Sequence, residues 1–251
     1  MPHGTVAREG IEQLVEAVNG HARTLALLAP ALREHGVDDD RIEVIRSAVD
    51  TERLSQTADC STVRAEFAVP DDACVIAAAG QLIPRKGHRY LLQAVADLRH
   101  RYPQLRLVIF GEGYLNNQLR AQAASLGLGD VVQFAGFRDD LDEFMGCIDI
   151  LAHPALAEGL GVATLKAAAA AVPVVGFAAG GLPEAVVDGT TGMLVPPEDT
   201  DALAAALGTL IGDPGLRRRM GAAGQHRMQK EFSIATMADK HLNLYETVLN
   251  G

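Results

Sequence analysis

Short apolar runs alternate with amphipathic stretches from Ala73 onward. Ala73–Ala79 (ACVIAAA), Leu105–Phe110 (LRLVIF), Val131–Phe134, Ile148–His153, Val172–Phe177 and Gly192–Val195 read as strands. Between them, His88–Tyr102 carries Leu91, Leu92, Val95 and Leu98 at helical spacing. Leu115–Leu126, Leu141–Cys147, Val162–Ala171 and Pro183–Val187 also read as helices, and Thr200–Ile211, Leu216–Glu231 and Ile234–Leu249 follow. Strands this uniformly apolar are buried on both faces, and their alternation with helices predicts a parallel sheet with a helical layer on each side.

Residues 1–72 break this rhythm. Ile11–Val18 and Pro30–His35 read as helices, Thr24–Leu28 and Arg41–Ile45 as strands, and Thr57–Thr62 as connecting chain. These pieces are too few for a second core. The expected organisation is a remnant or appendage over 1–50, a connector over 51–72, one Rossmann-like α/β domain over 73–232 and a C-terminal helix over 233–251.

Composition narrows the function classes. Of the 251 residues 48% are hydrophobic and only 4% aromatic, with no Trp, so the core must be aliphatic. Met193 and Leu194 read as part of it. A formal charge of −10 argues against nucleic acid as a partner. Cys60, Cys74 and Cys147 have no paired spacing and read as free buried thiols, without a disulfide framework or a zinc site. No apolar run is long enough to span a bilayer, and Met1-Pro2-His3-Gly4 opens no signal pattern. The expected location is the cytoplasm, with contact at the inner face of a membrane left open.

The candidate chemistry lies in the turns that follow the strands. Ile148–His153 runs through Pro154 to Glu158-Gly159-Leu160-Gly161 and into the helix from Val162. Such a corner aims free backbone N–H groups, and the positive end of the helix dipole, at one spot suited to an anion. Gly80-Gln81-Leu82-Ile83-Pro84-Arg85-Lys86-Gly87 and Gly111-Glu112-Gly113 occupy equivalent corners. A dinucleotide-dependent enzyme is disfavoured, because no Gly-x-Gly-x-x-Gly opens a helix with an acid following at the expected distance. His153, a potential general base, has no visible partner and reads as structural.

The order of these motifs carries a resemblance. The stretch 80–87 comes first. Phe110-Gly111-Glu112-Gly113, Phe134-Ala135-Gly136-Phe137, the Glu158 corner, Pro173-Val174-Val175, Gly180-Gly181-Leu182-Pro183-Glu184 and Asp188-Gly189-Thr190-Thr191-Gly192 follow. This closely resembles the carboxyl-terminal, donor-binding half of retaining GT-B glycosyltransferases of family 4, the glycosyl transferases group 1. Of the acceptor half only the last elements, ending near Arg41–Asp50, are recognisable.

The resemblance implies hexosyl transfer from a nucleotide-diphosphate sugar to an acceptor hydroxyl of a glycan, lipid or small molecule. It implies no cofactor and no metal. Lys86 and Glu158 would be the catalytic pair. Lys86 would hold the leaving diphosphate, and Glu158 would orient the sugar or stabilise positive charge at its anomeric carbon. Gln81, Arg85, Gly159, Leu160, Gly161, Val162 and Lys166 would line the donor and phosphate site. Gly111, Phe137 and Arg138 would border the nucleotide base. Taken alone, Lys86 reads as a solvated loop lysine, Glu158 as a helix N-terminal acid, and Arg138 as the partner of Asp139 or Asp140.

Two positions depart from the family pattern. Gln81 stands where the family has an Arg, and Lys166 where it has a Glu that accepts hydrogen bonds from the ribose. Lysine has three donors and no acceptor. The donor would then bind differently, Lys166 would contact phosphate, or donor binding would be impaired. The alternative function is a catalytically impaired nucleotide-sugar-binding or partner-binding module, completed by another subunit or a second copy. A GT-B epimerase acting on a nucleotide sugar is a further option.

Overall fold

A computed structural model describes residues 29, 32–39, 42–56 and 59–250. The expected helix Ile11–Val18 and strand Thr24–Leu28 lie outside them. In chain order the principal elements are α1 (Thr51–Leu54), α2 (Cys60–Glu66), β1 (Cys74–Ala79), α3 (His88–Leu98), β2 (Leu105–Phe110), α4 (Asn116–Ser125), β3 (Val132–Gly136), α5 (Leu141–Phe144) and β4 (Ile150–His153). They continue with α6 (Val162–Ala169), β5 (Val174–Phe177), α7 (Leu182–Ala185), β6 (Gly192–Val195), α8 (Thr200–Gly212), α9 (Pro214–Glu231) and α10 (Ile234–Asn250).

The strands form one parallel sheet in the order β3-β2-β1-β4-β5-β6. Order reverses between β1 and β4, where Ile76 pairs with Ile150 and Ala77 with Leu151. Alternate residues of each strand feed the two layers. Ile76 and Ala78 face Leu91, Leu92 and Val95 of α3 and Leu203 and Leu207 of α8. Val75 and Ala77 join Leu165 and Ala169 of α6 and Met228 of α9. Met193 and Leu194 are half-buried, each packed against one of these layers.

Ends of elements shift for local reasons. The expected helix His88–Tyr102 stops at Leu98, because Arg101 and Tyr102 close a turn back to the Leu98 carbonyl ahead of Pro103. Ala171, at φ 60°, breaks the chain between α6 and β5, so the strand begins at Val174. Asp213 caps α9 two residues earlier than its apolar pattern suggests, accepting from Leu216 N at 2.8 Å.

The segment before the sheet differs from expectation. Ile42–Ile45 is not a strand: among the described residues it joins no sheet, and the nearby Val49 makes an isolated bridge to Ser233. The span 51–72 is no bare connector, since it carries α1 and α2, each capped by an Asp side chain at Asp50 and Asp59. Val49, Leu54, Phe67 and Val69 are buried in the same core as β1 and α6.

The cysteine expectation is also corrected. Cys60 and Cys147 form a disulfide, with their Cα atoms 5.2 Å apart, and only Cys74 is a free, buried thiol. The pair is separated by 87 positions, and only the docking of α2 beside the turn ahead of β4 brings it together. Burial pushes the Cys74 thiol up to about 12. Closing so long a loop restricts the unfolded chain by on the order of 4 kcal/mol in the chain-entropy model. Reduction, or Cys147→Ser, is therefore expected to lower stability by a few kcal/mol in urea unfolding. The unreduced, denatured chain should show one reactive thiol, that of Cys74.

Candidate functional site

The site is built where β1 and β4 separate. β1 ends at Gly80, and the chain makes a tight turn over Pro84–Lys86 before α3 begins. Gly87 closes that turn at φ 68°. A Cβ there would lie 1.8 Å from the Pro154 carbonyl oxygen, so the turn rests directly on the end of β4. Leu156 N donates to the Arg85 carbonyl at 2.8 Å, and Arg85 Nη1 donates to the Ala157 carbonyl at 3.2 Å.

This stitching brings Lys86 to Glu158. The ammonium pairs with Glu158 Oε2, both side chains being about 15% exposed (14% and 15%), while Gly159 N donates to Oε1 at 3.1 Å. His153 Nε2 stands 3.6 Å from the same Oε2. Burial alone would raise the Glu158 carboxyl; His153 and Lys86 outweigh it and hold it at about 2. The Gly180-Gly181 turn supports the loop from behind, with Gly181 N donating to the Glu158 carbonyl at 3.0 Å. Gly161 adopts φ 69° as α6 begins, and a Cβ there would meet Thr164 Oγ1 at 2.6 Å.

Lys86, Arg85, Glu158, Gly159 and Gly161 therefore share one rim. Gln81 is exposed, and its carbonyl lies 3.3 Å from His88 Nε2. The Leu160 side chain is buried in the core, whereas Val162 is 49% exposed. Lys166 is paired with Asp142 of α5 at 2.6 Å. Gly111 N donates to the Gly136 carbonyl at 2.7 Å, which holds the β2 and β3 corners together. Phe137 is 70% exposed. Arg138 is engaged by Asp140 at 2.7 Å and by Glu66, so its guanidinium, held well above its ordinary value by these partners, is not free at the rim. Between Gly111–Gly113, Asn116, Arg120 and Phe134–Gly136 lies an open groove of about 560 Å³.

Sequence reasoning missed Asp142, Glu66 and Thr164. An acid in the first turn of the α5 stretch was visible as Asp142, but nothing local points from Arg138 to Glu66 across 72 positions. It also missed the role of His88. Burial holds that imidazole down at about 4, against an ordinary 6.5. Below pH 6.5 the unfolded chain takes up this proton and the folded chain resists it until about pH 4, so stability falls with acidification across that window. Glu158, depressed from 4.5 to about 2, adds stability that is fully present above 4.5 and lost as pH falls toward 2. Thermal melting is expected to decline from pH 6.5 downward, and His88→Gln should flatten the first part of that decline.

Among the described residues no group of three or more His, Cys, Asp or Glu side chains is arranged to hold a metal ion. No helix among them is long and apolar enough to cross a membrane.

A sheet of this order with glycine-rich turns at its switch point is common to many nucleotide-binding proteins. Comparison with known proteins specifies it. Residues 61–227 match the family model for glycosyl transferases group 1. The chain is 32% identical over 252 residues to a GDP-mannose-dependent alpha-(1-6)-phosphatidylinositol monomannoside mannosyltransferase of Mycolicibacterium smegmatis, covering 87% of this chain and 66% of that protein. It is 34% identical to a D-inositol 3-phosphate glycosyltransferase of Streptomyces scabiei, covering 96% of this chain and 56% of that protein.

Among solved structures, HepE of Anabaena in complex with UDP superposes with a TM-score of 0.80 at 26% identity, over 87% of this chain and 61% of that one. The C-terminal domain of the group 1 glycosyl transferase LpcC from Francisella tularensis matches with a TM-score of 0.68 at 25% identity, over 74% of this chain and 99% of that domain. The chain belongs to the glycosyl transferases group 1 family, with a GT-B type α/β domain. It spans roughly half to two thirds of the relatives it matches, 66% and 56% of their lengths.

Proposed function

We propose that this chain holds the nucleotide-diphosphate sugar in a retaining glycosyl transfer, with Lys86 on the diphosphate and Glu158 on the sugar. The observation that carries this reading is the meeting of Lys86 and Glu158 at the carboxyl ends of β1 and β4, where the strand order reverses. A leaving diphosphate gains negative charge as the bond to the anomeric carbon breaks. A cation fixed beside it stabilises that charge more in the transition state than in the ground state. The acceptor hydroxyl would attack from the side the diphosphate leaves, passing its proton to the departing phosphate oxygen. The protein then needs to supply no strong base. Backbone N–H groups of Gly159–Val162, at the start of α6, add donors for sugar hydroxyls or phosphate. The acceptor is a hydroxyl of a glycan, lipid or small molecule, and no step is routed through a cofactor or metal.

Relatives support both a guanosine and a uridine donor: one is named for GDP-mannose, and a structural neighbour holds UDP. Calorimetric titration with UDP, GDP and their sugars tests the reading. No heat of binding from any of them would sink it.

A second reading, a nucleotide-sugar-binding module completed by another subunit, is favoured by the Lys166–Asp142 pair. That pair puts a cation where the family has an acid. If Lys166→Glu tightens nucleotide binding, the pair has weakened the ribose end of the site. If it weakens binding, Lys166 belongs to this chain's own way of holding the donor.

A further inference from the structure

We propose that His153 is a positioning residue that holds the Glu158 carboxylate when Lys86 turns to a bound diphosphate, an assignment that rests on the donor-binding reading above. His153 is 4% exposed, and its Nε2 has no hydrogen-bond partner among the described residues. Buried polar nitrogens are rarely left this way without a reason. The nitrogen stands 3.6 Å from Glu158 Oε2, the oxygen that Lys86 occupies. A Cβ at Gly161 would lie 3.3 Å from His153 Nε2 and 3.4 Å from Glu158 Cγ, so the glycine leaves the space between ring and carboxylate open. The backbone of His153 is held by strand pairing with Gly176 in β5.

The charged and titratable groups facing this imidazole are Glu158 from the loop after β4, Lys86 from the turn after β1 and His88 from the start of α3. Thr164 of α6, also beside Gly161, brings a neutral hydroxyl with no hydrogen-bond partner among the described residues. Lys86 opposes a positive charge on His153 and Glu158 favours one, while His88, kept neutral above about pH 4 by burial, adds no charge. While Lys86 sits on Glu158, the carboxylate has its cation in contact and His153 stands by at 3.6 Å as the more distant partner. A diphosphate competes for the ammonium and leaves a largely buried carboxylate short of positive charge. A shift of about half an ångström then brings Nε2–H into hydrogen-bond range of Oε2. The imidazole is then the side-chain donor nearest the carboxylate, and Glu158 stays in place to meet the sugar.

Histidine ring NMR titrations of the wild-type chain, Lys86→Met and Lys86→Met/Glu158→Gln test this without changing His153; His153→Gln serves only to assign its signal. The His153 midpoint is expected to rise by about one pH unit or more in Lys86→Met, as an opposite charge close by requires. Most of that rise should vanish in the double variant. Equal midpoints in the two variants would overturn the assignment, because loss of Lys86 repulsion would then account for everything. Adding UDP or GDP to the wild-type chain should raise the midpoint in the same direction. Nucleotide that binds by calorimetry but leaves His153 unmoved also overturns it. If neither nucleotide binds while Lys86→Met still raises the midpoint, the donor reading fails and the His153–Glu158 contact stands.

Discussion

Lys86→Met is expected to weaken UDP or GDP binding by about a hundredfold, the order reached when one partner of a desolvated charge pair is truncated. Two effects add. The diphosphate loses the ammonium, which has three donors and spends only part of its capacity on Glu158. Glu158, held ionised at about 2 in the intact site, then faces the incoming anion without its cation. Lys86→Met/Glu158→Gln should recover part of the affinity by removing that repulsion, although it restores no contact to phosphate. Calorimetry on the three proteins measures both terms. Affinity unchanged in Lys86→Met would remove Lys86 from the phosphate site. A double variant no better than the single would show that Glu158 is not close to the bound anion. Lys86→Met should also cost about 2 kcal/mol of folding stability, less than for a fully buried pair because both groups retain some solvent.

Gly87→Ala is expected to cost more than about 3 kcal/mol of stability and to abolish nucleotide binding with it. The backbone at φ 68° disfavours any side chain by about 1 kcal/mol or more. The larger cost is steric. The new Cβ would lie 1.8 Å from the Pro154 oxygen and 2.8 Å from its carbonyl carbon, which are backbone atoms at the end of a central strand. Relief requires the Lys86 turn to lift off β4, which separates Lys86 from Glu158. Gly129→Ala is the matched control: nothing lies within 4 Å of its Cβ, and the change should stay within about 0.5 kcal/mol. Urea unfolding of both variants compares them. A Gly87→Ala protein as stable as the control would mean that the turn and the strand are not locked together.

The two predictions concern the same few residues, which were also the most legible in the sequence. β1, β2 and β5 are almost wholly apolar, and that pattern needs no distant information to be read; only the edge strand β3, with Gln133 exposed, departs from it. Glycines at 80, 87, 111 and 161 mark the turns, and their order along the chain carries the family resemblance. The ends of α3 and α6 were misplaced because the residues after Leu98 and Ala169 close turns that apolar spacing does not reveal. The segment 42–72 was misread for a different reason. Ile42–Ile45 has strand-like residues, but a strand needs a neighbour, and neighbours are supplied by the fold.

By itself, then, the sequence determined the parallel α/β architecture, the location of the glycine-rich turns after the strands and the membership in the glycosyl transferases group 1. These follow from period, turn chemistry and motif order, which are written along the chain. Tertiary structure decided which charges meet. It joined Lys86 to Glu158 and set the buried His153 3.6 Å from the same carboxylate oxygen. It gave Lys166 to Asp142, took Arg138 out of the rim with Glu66 and Asp140, and closed Cys60 onto Cys147. Each of these pairings depends on a side chain from another element arriving within a few ångströms. Only the packing of the helices on the sheet sets that distance.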